Sequence, residues 1–294
     1  MQQIVYLNNN YLDLTSAMVS VMDRGFLFAD GVYEVIPVYG SHAFFPEEHY
    51  SRLLQSLEKV NITPAPTYLE FMNIINELVR RNEVQPMQSV YLQLTRGVSW
   101  TRKQFATGLV PTVFAKLEPF ARIPSQSNTM KAITVEDSRW GHCDIKGINR
   151  LANVLMMQAA YQAHVDEAII VSHDFVVEGS SSNIFIVEKD TVITPPVSER
   201  LLNGITRKMV IQLVKEKYKL IEEDIHQDRL FSADEVWLTS STKEVVGVVE
   251  IDSKIIGNGT CGPKAIETQN RYRKHIDDIV HKNLSHAITD VAKP

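Results

Sequence analysis

Strands and helices follow one another in this chain as hairpins and helix pairs, without regular strand–helix–strand alternation, and that order constrains the fold more than any other feature. Residues 4–7 and 11–14 read as short strands about an Asn8-Asn9-Asn10 turn. Residues 32–39 are rich in β-branched and aromatic side chains, and Gly40-Ser41 turns them into a partner strand at 42–45. Pro46-Glu47-Glu48 opens a helix, because proline suits the first helical position and acids the first turn. Leu53, Leu54, Leu57 and Val60 form its apolar face, leaving Arg52 on the polar side. Thr67 and Glu70 make a capping box for a second helix, with Phe71, Ile74, Ile75 and Leu78 inside. Strands at 89–95 and 110–117 flank a polar loop, 97–108. The polar stretch 121–128 reads as a linker between a small N-terminal domain (1–120) and a larger C-terminal one (129–294). Two domains suit 294 residues at about 150 each. The segregated order predicts an α+β fold of two domains over a doubly wound parallel sheet.

Composition narrows the function. A net charge of −5 and a pI of about 6.0 give no electrostatic case for nucleic acid or an anionic membrane. No apolar run reaches the roughly 18 residues of a membrane helix. Met1-Gln2-Gln3-Ile4-Val5-Tyr6 lacks the basic and apolar regions of a signal peptide. The two cysteines, Cys143 and Cys261, make no disulfide framework and have no ligand company at zinc spacing. A cytoplasmic protein without a metal is expected, with Cys143 a small buried residue rather than a nucleophile.

The richest stretch is Asp137-Ser138-Arg139-Trp140-Gly141-His142-Cys143-Asp144-Ile145-Lys146-Gly147-Ile148-Asn149. A strand at 131–135 precedes it, and Ile148, Leu151, Ala152, Leu155 and Ala159 fall at helical spacing after it. Lys146 thus sits where strand hands over to helix, between apolar neighbours. A poorly hydrated lysine has access to its neutral amine, a nucleophile that forms a Schiff base with a carbonyl. Taken alone, this stretch favours the plainer reading of a surface lysine at a helix start.

Other segments gain meaning from this one. Gly204-Ile205-Thr206 lies at a helix N-terminus, where unpaired N–H groups and the helix dipole attract an anion. Ser240-Ser241-Thr242 is a hydroxyl-rich turn after a strand. One phosphate held by Arg52, the helix terminus and these hydroxyls would join all three. Glu178 precedes Gly179-Ser180-Ser181-Ser182-Asn183, and a carboxylate there can pair with a protonated ring nitrogen. Ser182, in that hydrogen-bonding loop, is a further candidate for the substrate. In Asp23-Arg24-Gly25 through Asp30-Gly31-Val32-Tyr33-Glu34-Val35, two glycines and two aspartates punctuate a tight loop before a strand, and Tyr33 can face a pocket or be an ordinary half-buried tyrosine.

The motifs at 23–35, Asp-Ile-Lys at 144–146, Glu-Gly-Ser-Ser-Ser-Asn at 178–183, Gly-Ile-Thr-Arg at 204–207 and Thr-Ser-Ser-Thr at 239–242 occur in order over nearly the whole chain. Together they resemble the D-amino-acid aminotransferases, pyridoxal-phosphate enzymes of fold type IV. The resemblance implies that Lys146 holds pyridoxal 5'-phosphate covalently and shuttles the proton. It implies that Glu178 pairs with the pyridinium nitrogen, that Arg52, the Ile205 backbone, Thr206 and Ser241 hold the phosphate, and that Tyr33 lines the substrate side. It also implies a homodimer acting on small amino and keto acids, D-alanine and 2-oxoglutarate first among them. Branched-chain L-aminotransferases and aminodeoxychorismate lyases share the lysine, glutamate and Gly-Ile-Thr elements and stand as alternatives, as does a non-catalytic pyridoxal-phosphate carrier.

One loop departs from the pattern. Bacillus-type members carry an Arg-X-His pair after Thr-Arg-Gly that grips the substrate carboxylate. Here Thr101 takes the arginine's place and Lys103 the histidine's, with Arg102 between them. Arg102 and Lys103 are the expected carboxylate ligands, with Arg139 or His142 as substitutes.

Overall fold

The computed structural model describes residues 3–83 and 85–291, with side chains as far as 280. It divides into two units. One takes the chain to Ala121 and returns for Ile145–Asn149 and again from Lys282; the other takes Arg122–Asp144 and Arg150–His281. A single C-terminal domain over 129–294 does not account for the return at 145–149. The reason is backbone pairing: Tyr33 N–H donates to the Lys146 carbonyl (2.9 Å), and Ile148 N–H donates to that of Gly31 (3.1 Å).

The first unit runs β1 (Ile4–Leu7), β2 (Asn10–Asp13), α1 (Arg24–Phe28), β3 (Gly31–Tyr39), β4 (His42–Ala43), α2 (Pro46–Lys59), α3 (Tyr68–Arg81), β5 (Met87–Thr95) and β6 (Thr112–Pro119). Its six strands form an antiparallel sheet in the order β2-β1-β6-β5-β3-β4. Val32, Ile36, Val90, Leu92 and Leu94 pack with Leu53, Leu57, Phe71, Ile74, Ile75 and Leu78 from α2 and α3. The capping box at Thr67 and Glu70 is present. The expected loop at 23–30 is in part helical: the Asp23 carboxylate accepts from Gly25 N–H (2.7 Å), and Ala29 ends α1 in the left-handed region.

α2 sits rotated from the expected orientation. Its buried residues are His49, Arg52, Leu53, Ser56 and Leu57, which fall at i, i+3, i+4, i+7 and i+8. Arg52 therefore faces inward, because β3 offers it a buried carboxylate partner.

The second unit runs β7 (Thr129–Glu136), α4 (Leu151–Gln162), β8 (Glu167–Ser172), β9 (Phe175–Gly179), β10 (Asn183–Glu188), β11 (Thr191–Thr194), α5 (Ile205–Lys215), β12 (Lys219–Glu222), β13 (Ile225–His226), α6 (Asp228–Ser232), β14 (Glu235–Ser240), β15 (Glu244–Ile251) and β16 (Lys254–Ile255); α7 (Pro263–Val291) follows. The sheet order is β12-β11-β10-β14-β15-β7-β8-β9-β13, with β16 beside β15. Pairing is parallel at β11/β12, β15/β7 and β7/β8. Ile169, Ile184, Ile186, Val236 and Leu238 lie in its core.

α4, the helix expected after Lys146, presents much of its apolar surface outward. Met156 and Ala160 are buried, whereas Leu151, Val154, Leu155 and Tyr161 are 54–80% exposed. A helix apolar nearly all round has no single face that periodicity can assign to the core. No helix among the described residues is long and apolar enough to cross a membrane.

Candidate active site

The expected residues fall into two groups, one in each unit. In the first, Lys146 is fixed by its backbone. Its N–H donates to Ser56 Oγ of α2 (3.2 Å) and its carbonyl accepts from Tyr33 (2.9 Å). The side chain is left to act: Nζ lies 4.2 Å from the centroid of the Tyr33 ring, and among the described residues it makes no ion pair. Tyr33 in turn leans on Tyr91, with 5.6 Å between centroids.

Beneath α2 lies a buried polar triad that the sequence reading passed over. Arg52 Nε and Nη2 donate to Glu34 Oε1 and Oε2 (2.7 and 2.8 Å), and His49 Nδ1 meets Oε2 at 2.8 Å. Glu34 and His49 are fully buried. Burial raises the Glu34 carboxyl, but the Arg52 charge and the bonds from Arg52 and His49 outweigh it and hold Glu34 well below its ordinary range. Burial lowers His49, Glu34 opposes that, and the Arg52 and Lys146 charges reinforce it, so its net shift is downward. A neutral His49 beside an ionised carboxylate must carry its proton on Nδ1. The triad fixes the Arg52 guanidinium without freedom to swing. The signal existed in the sequence: Glu34 shares the inward side of β3 with Val32 and Ile36, and His49 and Arg52 are one helical turn apart.

The loop 97–108 also belongs to this unit. Gly97, at φ +98°, marks its start; a Cβ there would stand 1.9 Å from the Val110 carbonyl oxygen. Residues 101–105 are exposed, and neither Arg102 nor Lys103 makes an ion pair among the described residues. The Arg102 guanidinium lies 5.2 Å from the Phe28 ring.

In the second unit, Glu178 of β9 is buried. Its Oε1 accepts from Arg139 Nη1 (2.5 Å), and Oε2 accepts from Leu202 N–H and Asn183 Nδ2 (both 3.2 Å). Burial pushes the carboxyl up to about 7, against the pull of the Arg139 charge and hydrogen bond and the Leu202 amide. Arg139 is itself gripped by Asp137 through two bonds of 2.9 Å. It is the partner of Glu178, and its guanidinium is not free for a substrate carboxylate. His142 is exposed and rests on Trp140. Burial, with further push from Asp137 against the pull of Arg139, raises the Cys143 thiol to about 11, which leaves it unreactive.

The Ser182 hydroxyl is turned inward to Glu167 (3.5 Å), beside Ser180, which donates to the same carboxylate. Glu167 is fully buried and also meets Lys243 Nζ at 3.2 Å. A buried carboxylate needs donors, and that demand orients the triple-serine loop.

α5 begins at Gly204 with no side chain capping it, although Ile205 and Thr206 are buried. Buried, uncapped N–H groups call for an anion. Gly204 is required by close approach, since a Cβ would stand 2.1 Å from Asn183 Oδ1. Thr206 shares a hydrogen bond with Tyr272. Asn183 pairs in register with Thr239, whose hydroxyl is buried with no hydrogen-bond partner among the described residues. Ser241 follows at the half-buried turn after β14. An open helix terminus, an unpartnered hydroxyl and a serine turn form a donor set that suits a phosphate.

The family model for amino-transferase class IV matches residues 31–251. The chain belongs to this family. This class IV aminotransferase is 38% identical to a D-alanine aminotransferase of Bacillus licheniformis over 92% of its own length and 96% of the relative's. It is 36% identical to a D-alanine aminotransferase of Staphylococcus haemolyticus, covering 93% and 98%. Its fold is similar to that of a branched-chain aminotransferase from the thermophilic archaeon Thermoproteus uzoniensis, solved with norvaline, at TM-score 0.84 and 25% identity over 93% and 94% of the two chains. The fold is thus of type IV, and the branched-chain enzymes are its relatives in architecture.

Proposed function

We propose that this aminotransferase moves the amino group of a D-amino acid, D-alanine foremost, to a 2-oxo acid such as 2-oxoglutarate, with pyridoxal 5'-phosphate as cofactor. The observation that carries the reading is Lys146: its backbone is bonded on both sides while its amine has no anionic partner among the described residues. The cofactor, when bound, supplies the electron sink that stabilises a carbanion. The protein's residues do the rest. Lys146 would hold the cofactor through its amine, and its Nζ would take and return the substrate proton. Glu178, drawn toward the carboxylate by Arg139 against the push of its burial, would pair with a protonated ring nitrogen. Arg52, the Ile205 amide, Thr206 and Ser241 hold the phosphate, and the Thr239 hydroxyl is a candidate fifth donor. Tyr33 lines the substrate side. Arg102 and Lys103 receive the substrate carboxylate, since both are exposed cations without an acid partner among the described residues. Ser182 shapes its loop through Glu167.

A cytoplasmic homodimer completes the reading, supported by the exposed apolar side chains of α4 and by the low cysteine content. Initial rates on D-alanine, L-leucine and aminodeoxychorismate test the substrate class. D-alanine is expected to be turned over fastest; a preference for L-leucine would move the enzyme to the branched-chain group. Conversion of bound cofactor to its amine form by D-alanine is also expected, and a pure carrier would not perform it.

A further inference from the structure

We propose that Arg24 is a positioning residue for recognition of the substrate carboxylate: through the main-chain carbonyls of Lys103 and Gln104 it fixes the conformation in which the loop presents Arg102 and Lys103. The inference rests on the reading that this loop holds the carboxylate.

Arg24 is 3% exposed, yet its guanidinium does not make a fork with one carboxylate. Nε donates to Asp30 Oδ2 (2.7 Å), Nη1 to the Lys103 carbonyl (2.7 Å) and Nη2 to the Gln104 carbonyl (2.6 Å). A planar, rigid set of donors thus spans two consecutive peptide groups. Asp30 holds Arg24 in place and is itself held by Arg96 at 2.8 and 3.0 Å, while Arg96 reaches the Val60 and Asn61 carbonyls at 2.7 Å each. Burial raises Asp30, but the Arg96 and Arg24 bonds and charges outweigh it and keep the carboxyl below its ordinary range. The Phe28 ring lies 4.8 Å from the Arg24 guanidinium and 5.2 Å from that of Arg102.

The loop depends on this clamp. Its base is bonded through Arg24 N–H to the Gly97 carbonyl (2.9 Å) and Ser99 N–H to that of Met22 (3.2 Å). Beyond residue 101, the Arg24 donors are the only hydrogen bonds that reach 102–109 among the described residues. Without them the exposed segment would have to be ordered each time a carboxylate bound, and that ordering entropy would weaken substrate binding. Chemistry after binding would be untouched.

The test uses cofactor-loaded wild type, Arg24→Ala and Arg24→Lys. Three quantities are read: tryptic cleavage after Arg102 and Lys103 mapped by mass spectrometry, KM and kcat for D-alanine, and the visible absorbance of the bound cofactor. Both variants are expected to be cleaved in the loop about tenfold faster or more and to show a KM raised about tenfold, the scale of one lost charge-assisted bond. Their kcat and absorbance should stay within about twofold of wild type on the same argument. Arg24→Lys keeps a charge on Asp30 but cannot span two carbonyls, so a wild-type KM in that variant overturns the proposal. Unchanged cleavage overturns it as well, as does a released loop with unchanged KM. Loss of the cofactor band in Arg24→Ala would assign Arg24 to general folding and also overturn it. Absence of D-alanine turnover in the wild type is a failure of the functional reading, and the cleavage rates then judge the clamp by themselves.

Discussion

Glu178 sits between two opposing influences: burial drives it toward the neutral acid, and Arg139 draws it back toward the carboxylate. Arg139→Ala removes the second influence. The Glu178 pKa should then rise further, and the acid limb of kcat/KM should move upward by about one pH unit or more, each unit being about 1.4 kcal/mol. An unshifted limb would detach Arg139 from Glu178. The sign also works on stability. Between its ordinary 4.5 and about 7, folded Glu178 keeps a proton that the unfolded chain has released, so its contribution to the stability of the cofactor-free protein falls as pH rises through that window. Urea titrations of Glu178→Gln should lack that component. Glu34 has the opposite sign, because its folded pKa is depressed. Its contribution is full above about 4.5 and is lost as pH falls through the folded value. Glu34→Gln leaves Arg52 buried beside a neutral amide and should cost about 3–5 kcal/mol in denaturant unfolding. Lys146 and Glu178 were conspicuous as candidates in the sequence because their neighbours are distinctive. Glu34 and His49 were not, because a polar residue on an apolar face reads as a solvated exception until its partner, which comes from another element, is seen.

Elements with one apolar face were legible, and elements with two were not. α3 follows its pattern residue for residue, from the Thr67 cap to Leu78. α4 and α2 did not follow theirs, for opposite reasons. α4 carries apolar residues on both sides, and the pattern cannot say which side covers the sheet. In α2 the inward face contains His49, Arg52 and Ser56 beside Leu53 and Leu57, so a count of apolar residues turns the helix too far toward Leu54 and Val60. The exposed side of α4 gives a prediction at this scale. Leu155→Glu should leave monomer stability within about 0.5 kcal/mol, as a surface change does, while sedimentation velocity should show a shift from dimer toward monomer. A dimer unaffected by this charge would exclude α4 from the interface.

The whole molecule was readable as α+β, because hairpins grouped with hairpins and no strand–helix–strand rhythm ran through the chain. The first stretch of the first unit ends at Ala121. The return of Ile145–Asn149 to the first unit was not readable, since it depends on backbone bonds to β3 that no side-chain pattern encodes. That return gives Lys146 its setting among Tyr33, Ser56 and the Glu34 triad. The most direct measurement is borohydride reduction of the purified, cofactor-loaded enzyme followed by peptide mapping. The reduced cofactor is expected on the peptide containing Lys146, with no steady-state turnover in Lys146→Ala. Recovery of the cofactor on a different lysine, or sustained turnover in Lys146→Ala, would contradict the role of Lys146.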